Sequence, residues 1–301
     1  VQFLQFTFPL SGVETYIFIP PLVAFGISFF TSMGGISGAF LLLPFQMSVL
    51  GFTSPSVTAT NFLYNVTGTP GGVYRYAREC RFVWPVALLI VAGIVPGVLV
   101  GYYVRINYLP DPKAFKFFVG CVLLLIAVKL LKETLNGKFT VSRSSESCVL
   151  TDRVGNASIE MKTTRFSFNG AAYSFTTVKL LGLALAVGII GGAYGIGGGS
   201  IIAPFLITFF RLPVYAIAGA VLLGTFVSSL AGVTFYSLLP INGAVASPDW
   251  LLGILFGAGG LVGMYLGARA QKYVPGRWIK LMLGGVIIIT ALKYTLRFWS
   301  S

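Results

Sequence analysis

The chain has 301 residues, of which 56% are hydrophobic and 10% charged, with a mean hydropathy of +0.87. Soluble domains carry about 25% charged residues, so this sequence cannot assemble a water-facing surface and lipid must be its solvent. The net charge of +13 does not signal nucleic acid, because Lys and Arg fall between apolar segments, where membrane orientation accounts for them.

In chain order, the first half reads as five apolar segments, roughly 16–33, 36–51, 55–76, 82–104 and 114–133. The first two are joined by Gly34-Gly35-Ile36-Ser37-Gly38, a run that makes a poor helix interior. Broken backbone at membrane depth survives only where protein or a wet cavity satisfies it. The pair is therefore expected to be a bent hairpin with its tip inside the protein; two ordinary helices with a tight turn are the alternative. The third segment is unusually polar, with Thr53, Ser54, Ser56, Thr58, Thr60, Asn61, Asn65, Thr67 and Thr69. The fourth carries Gly93, Gly97 and Gly101 at a spacing of four, a pattern that suits close helix packing. Arg105, Lys113, Lys116 and Asp111 are read as a charged turn around Pro110.

Residues 134–175 break the pattern. They hold Glu146, Asp152 and Glu160 and an excess of Lys and Arg, which places them in the cytoplasm. Arg165–Phe175 alternates apolar and polar residues around Asn169-Gly170, a strong hairpin signal. A small β-rich insert is expected, with a flexible linker as the alternative for 138–160. The second half resumes with five segments, roughly 176–193, 198–211, 214–238, 249–270 and 276–298. Its first pair is joined by Gly195-Ile196-Gly197-Gly198-Gly199, and its fourth carries Gly259, Gly263 and Gly267.

The halves match each other. Laying 33–76 on 193–236 without a gap pairs Gly35/Gly195, Ile36/Ile196, Gly38/Gly198, Pro44/Pro204, Phe45/Phe205, Leu63/Leu223, Gly72/Gly232, Val73/Val233 and Tyr76/Tyr236. Glycine and proline fix backbone shape, so these coincidences exceed what two apolar segments share by composition. Arg75, Arg78 and Arg81 follow the third segment of the first half, whereas the equivalent turn near Pro240–Asp249 has no cation. The next turn reverses the bias, with Arg269, Lys272, Arg277 and Lys280 in the second half. By the positive-inside rule corresponding loops lie on opposite sides, which makes the repeat inverted and puts both termini outside. The expected architecture is an all-α polytopic membrane protein of the cell (inner) membrane. Its parts are a first transmembrane repeat over 1–133, the insert over 134–175 and a second repeat over 176–301.

Two features could carry chemistry. Each glycine cluster precedes an apolar helical segment, and a helix start offers unpaired N–H groups and the positive end of its dipole. Two starts meeting from opposite sides would hold an anion without Lys or Arg. Gly35, Ser37, Gly38, Gly197, Gly198 and Gly199 would surround it, with Tyr194 beside them; helix packing alone is the competing account. The second feature is the third segment, where Asn61 and Asn65 share a helical face with Thr58 close by. Thr225 and Ser229 occupy the corresponding second-half positions, and interhelical hydrogen bonding is the competing account there. No His is present, no carboxylate stands out inside a segment, and Cys80, Cys121 and Cys148 lack metal-like spacing. No cofactor, metal or catalytic role is expected, and an intramembrane enzyme is disfavoured.

The run Gly195-Ile-Gly-Gly-Gly-Ser-Ile-Ile-Ala-Pro204-Phe-Leu206 resembles the signature of the TauE/SafE family of membrane permeases, and Gly34–Pro44 is a degenerate copy. The likeness runs from about residue 16 to 298. It implies transport of a small sulfur-containing anion such as sulfite, sulfoacetate or another organosulfonate, with export slightly favoured by the family name. A passive anion channel, or an uptake permease for another small organic anion, shares the same features. The implied partners are the anion and membrane lipid, and a homo-oligomer is compatible with the sequence.

Overall fold

A computed structural model describes residues 5–33, 36–78, 82–135, 155–159, 163–168, 171–210, 212, 214–240, 246–270, 288 and 292. In chain order these form β1 (Gln5–Thr7), β2 (Glu14–Tyr16), α1 (Ile19–Met33), α2 (Ala39–Ser48), α3 (Ser56–Arg78), α4 (Trp84–Asn107) and α5 (Pro112–Leu135). Then follow β3 (Gly155–Ile159), β4 (Thr163–Phe168), β5 (Ala171–Thr176), α6 (Thr177–Tyr194), α7 (Gly199–Thr208), α8 (Val214–Leu238) and α9 (Trp250–Ala270). The expected helical segments are present to within a few residues. Gly34, Gly35, most of the expected 276–298 segment and the middle of the insert lie outside the described residues.

The protein is an all-α polytopic membrane protein. Helices α4, α6, α8 and α9 are long and apolar enough to cross a membrane. They are apolar all round because one side meets other helices and the other meets lipid. Leu88, Leu99, Ile254, Leu261 and Val262 face outward, while Trp84 and Trp250 sit exposed at helix starts, where amphipathic rings suit the membrane interface. At 10 residues each, α2 and α7 reach about half of a ~30 Å hydrocarbon core at 1.5 Å per residue.

The packing obeys an inverted two-fold. On α3 and α8, a side chain at Gly72 would touch Leu222, and one at Gly232 would touch Phe62. Residues 62 and 222 are repeat mates, as are 72 and 232, so one contact is the image of the other. The pairing is antiparallel, hence corresponding helices run in opposite directions. The same relation governs the outer helices. Gly93, Gly97 and Gly101 of α4 abut the carbonyls of Leu181, Leu185 and Ile189 on α6, while Gly259, Gly263 and Gly267 of α9 abut those of Pro21, Phe25 and Phe29 on α1. The glycine stripes thus serve close packing, as their spacing suggests. Each half's first helix lies on the other half's fourth. Tyr76 Oη donates to the Ser32 carbonyl (3.3 Å) and its mate Tyr236 Oη donates to the Gly192 carbonyl (3.1 Å).

Two small sheets cap the faces. β4 and β5 pair antiparallel with Phe168 opposite Ala171, the residues flanking Asn169-Gly170, and β3 adds to β4. This sheet leads into α6 and shares a face with the end of α3 at Arg78. On the opposite face β1 and β2 form a hairpin that the apolar pattern does not announce, turning through Gly12 at φ +66°. It is pinned by Asp249, whose Oδ2 accepts the Ser11 backbone N–H (3.0 Å) and hydroxyl (2.7 Å). Asp249 Oδ1 accepts the Leu252 N–H (3.1 Å), capping α9, and its own N–H donates to Thr60 Oγ1 (2.9 Å). A carboxylate near a segment end is as expected, but Asp249 is 1% exposed. The helix start and Ser11 hold it, so it has a structural task. Asp249→Ala should cost about 1–3 kcal/mol through the lost cap and orphaned donors. A lower thermal midpoint of the purified protein checks this; an unchanged midpoint would refute it.

Candidate functional site

After α1 and α6 the chain folds back into the short helices α2 and α7, which lead toward the starts of the antiparallel helices α3 and α8 and so toward opposite faces. The α6 turn is closed by Gly195 N–H and Ile196 N–H, both donating to the Gly191 carbonyl (2.8 and 3.1 Å). Gly195, Gly197 and Gly198 take φ of +85°, +77° and +72°, a left-handed region that costs other L-residues about 1 kcal/mol or more each. A Cβ at Gly197 would lie 2.5 Å from Ser229 Oγ, and one at Gly195 would lie 2.7 Å from the Thr58 carbonyl. Glycine is therefore required here by both conformation and space. At the other tip, Gly38 precedes α2 at φ −71°, and the Leu41 and Leu42 N–H groups both turn back to its carbonyl (3.0 Å each).

The two half-helices meet at their amino ends. Ser37 Oγ and Ser200 Oγ are 3.2 Å apart and buried. The first N–H groups of a helix have no partner within it, and they carry the positive end of its dipole. Two such ends side by side therefore create a region of positive potential in the protein centre without any charged side chain.

Helix α3 supports the α6–α7 tip. Asn61 Nδ2 donates to the Ala39 and Gly195 carbonyls (3.0 Å each) and its Oδ1 accepts Gln46 Nε2 (3.3 Å). Asn65 Nδ2 donates to the Ile196 carbonyl (3.0 Å). Both amides thus satisfy backbone that the broken turn leaves open. Tyr194 Oη donates to the Phe40 carbonyl (2.9 Å), tying the end of α6 to the start of α2. From α8, Thr225 Oγ1 donates to the Val221 carbonyl (3.0 Å) beside Gly199, and Ser228 Oγ donates to the Gly197 carbonyl. Among the described residues Asn65 Oδ1, Gln46 Oε1 and Ser229 Oγ have no partner.

The structure brings Ser37, Gly38, Thr58, Asn61, Asn65, Tyr194, Gly197, Gly198, Gly199, Thr225 and Ser229 into one buried knot; Gly35 lies outside the described residues. The cage expected from the sequence left out Ser200, Ser228 and Gln46, although Ser200 lies within the glycine signature and Ser228 beside Ser229. It also grouped Arg105 with turn cations. Arg105 instead sits in the last turn of α4 and is 0% exposed. Among the described residues no group of His, Cys, Asp and Glu could hold a metal ion.

Comparison with known proteins agrees with this architecture. The family described as "Sulfite exporter TauE/SafE" matches residues 21–294. The chain is 24% identical over 267 residues to the "Probable membrane transporter protein YunE" of Bacillus subtilis (strain 168), covering 86% of this chain and 89% of that protein. It is 22% identical over 279 residues to a "Probable membrane transporter protein" of Xylella fastidiosa (strain 9a5c), covering 91% and 93%. No solved structure matches the chain. With glycine-broken hairpins meeting inside a polytopic bundle, and a family match over nearly its whole length, this chain belongs to the TauE/SafE family of membrane transporters.

Proposed function

We propose that the protein is a secondary carrier for a small sulfur-containing oxyanion, sulfite or an organosulfonate, in the cell (inner) membrane. The observation that carries this reading is the meeting of two half-helix amino ends at Ser37 and Ser200, 3.2 Å apart in the protein centre. An anion suits that place because the positive ends of two helix dipoles converge there, with no carboxylate among the described residues beside them. Ser37, Ser200 and Ser229 would contact the anion, and Asn61 and Asn65 would hold the tip in shape. The site residues are buried, which favours a carrier that occludes its cargo over an open channel. The sulfur class and the outward direction come from the family description. Arg75 and Arg78 mark the cytoplasmic face, with the β3–β5 insert on the same side, and the β1–β2 hairpin faces outward.

The test is flux of sulfite and sulfoacetate in proteoliposomes, with and without a pH gradient. Saturable flux stimulated by anion on the far side is expected. Linear flux without counterflow would replace the carrier by a channel, and no flux of either anion would remove the sulfur-anion reading.

A further inference from the structure

Arg105 is the feature that neither family membership nor the central knot explains. Its guanidinium is fully buried in the last turn of α4. Nε donates to Thr58 Oγ1 (3.3 Å), Nη1 donates to the Leu109 carbonyl, and Cζ lies over the Phe115 ring, 3.6 Å from its centroid. Nη2 is buried and has no partner among the described residues. Among the described residues no carboxylate balances the charge. Asp111 accepts from the Ala114 N–H, Asp249 is occupied by Ser11 and Leu252, and Glu14 is exposed on its hairpin. A guanidinium stays charged in proteins, and an uncompensated charge inside a membrane protein is expensive. The cost is met if a transient anion completes the pair.

The position fits that task. Thr58 joins Arg105 to the central site, because the carbonyl of the same residue packs against Gly195. Tyr236, whose hydroxyl holds the Gly192 carbonyl, stacks edge-on with Tyr102 at 4.7 Å on this side of the tip. Arg105 thus stands one layer from the α6–α7 tip, toward the Asp249 face.

We propose that Arg105 binds the transported oxyanion on the Asp249 side of the central site, offering Nη2 to one oxygen while Thr58 and Leu109 fix the guanidinium plane. This rests on the anion reading above. A sulfite or sulfonate group matches it, since a planar fork of N–H donors suits paired oxygens.

The test compares the full-length wild type with Arg105→Lys and Arg105→Met in proteoliposomes, using sulfite as the probe. Readouts are folded yield, maximal rate and half-saturating concentration. Arg105→Lys keeps charge and reach but loses the fork, so it should fold and raise the half-saturating concentration severalfold. Arg105→Met should raise it roughly ten- to hundredfold, the size of a lost charge-assisted hydrogen bond. Reduced yield with an unchanged half-saturating concentration in the folded fraction would make Arg105 a bracket for the end of α4 and overturn the proposal. Failure of both variants to fold would overturn it as well. If the wild type moves neither sulfite nor sulfoacetate, the anion reading itself fails. If the wild type moves sulfite and Arg105→Met does so with unchanged half-saturation, only the Arg105 proposal fails.

Discussion

Gly97→Leu and Gly263→Leu are each expected to abolish accumulation of folded protein, and to do so to the same degree. A Cβ at Gly97 would stand 2.5 Å from the Leu185 carbonyl oxygen and 2.8 Å from Gly188 Cα; one at Gly263 would stand 2.5 Å from the Phe25 carbonyl oxygen and 3.1 Å from Phe25 Cα. These obstacles are backbone, which cannot swing aside as a flexible side chain does. Both helices of the pair must separate, and overpacking of this kind costs more than about 3 kcal/mol. The equality follows from the inverted two-fold, which makes the two positions images of each other. Gly26→Ala and Gly182→Ala are the controls, since a Cβ at either meets nothing within 4 Å. They should gain about 0.5–1 kcal/mol from helix propensity. Detergent-solubilised yield and thermal midpoint measure all four; normal yield from Gly97→Leu would refute the packing account.

Asn65→Leu is expected to eliminate transport while much of the protein still folds. The variant removes the donor to the Ile196 carbonyl and places a branched apolar group beside the positive-φ turn. One orphaned buried carbonyl costs about 1–3 kcal/mol. Asn61→Leu should be the more destabilising of the two, because it strips donors from both Ala39 and Gly195 and leaves Gln46 Nε2 without its acceptor. Flux per folded molecule, with thermal midpoints alongside, separates the effects. Normal flux in Asn65→Leu would show that the shape of the α6–α7 tip does not matter to transport.

Much of the fold is legible in the sequence because glycine and proline record backbone shape. The glycine clusters locate the hairpin tips, the spacing of four in Gly93, Gly97 and Gly101 marks a contact line, and Asn169-Gly170 marks the β4–β5 connection. Less of the site is legible. Asn61 and Asn65 stand out as polar groups on one face of α3, but only the structure shows that their donors are spent on carbonyls of both hairpins, Ala39 in one and Gly195 and Ile196 in the other. Tyr76 and Tyr236 coincide in the repeat, yet a tyrosine carries no sign of which carbonyl it will hold. Arg105 is hidden for a different reason. A cation near the end of an apolar segment looks like a loop charge, and burial depends on α3 and α5 closing over it. The β1–β2 hairpin escapes because its three-residue strands are too short for a periodic pattern.

The exchange of first helices between halves has a consequence for the order in which the chain is made. α6 finds its glycine stripe on α4, already synthesised, and can dock at once. α1 must wait for α9, and the tie from Ser11 to Asp249 in the same region spans 238 residues. Until then the first hairpin stands in the bilayer with its carbonyl ridge at Pro21, Phe25 and Phe29 covered only by lipid. Long-range contacts of this kind form slowly and leave surfaces open meanwhile. The first half is therefore closed only once α9 arrives, and a ribosome that stops before α9 leaves behind a half that cannot close on itself.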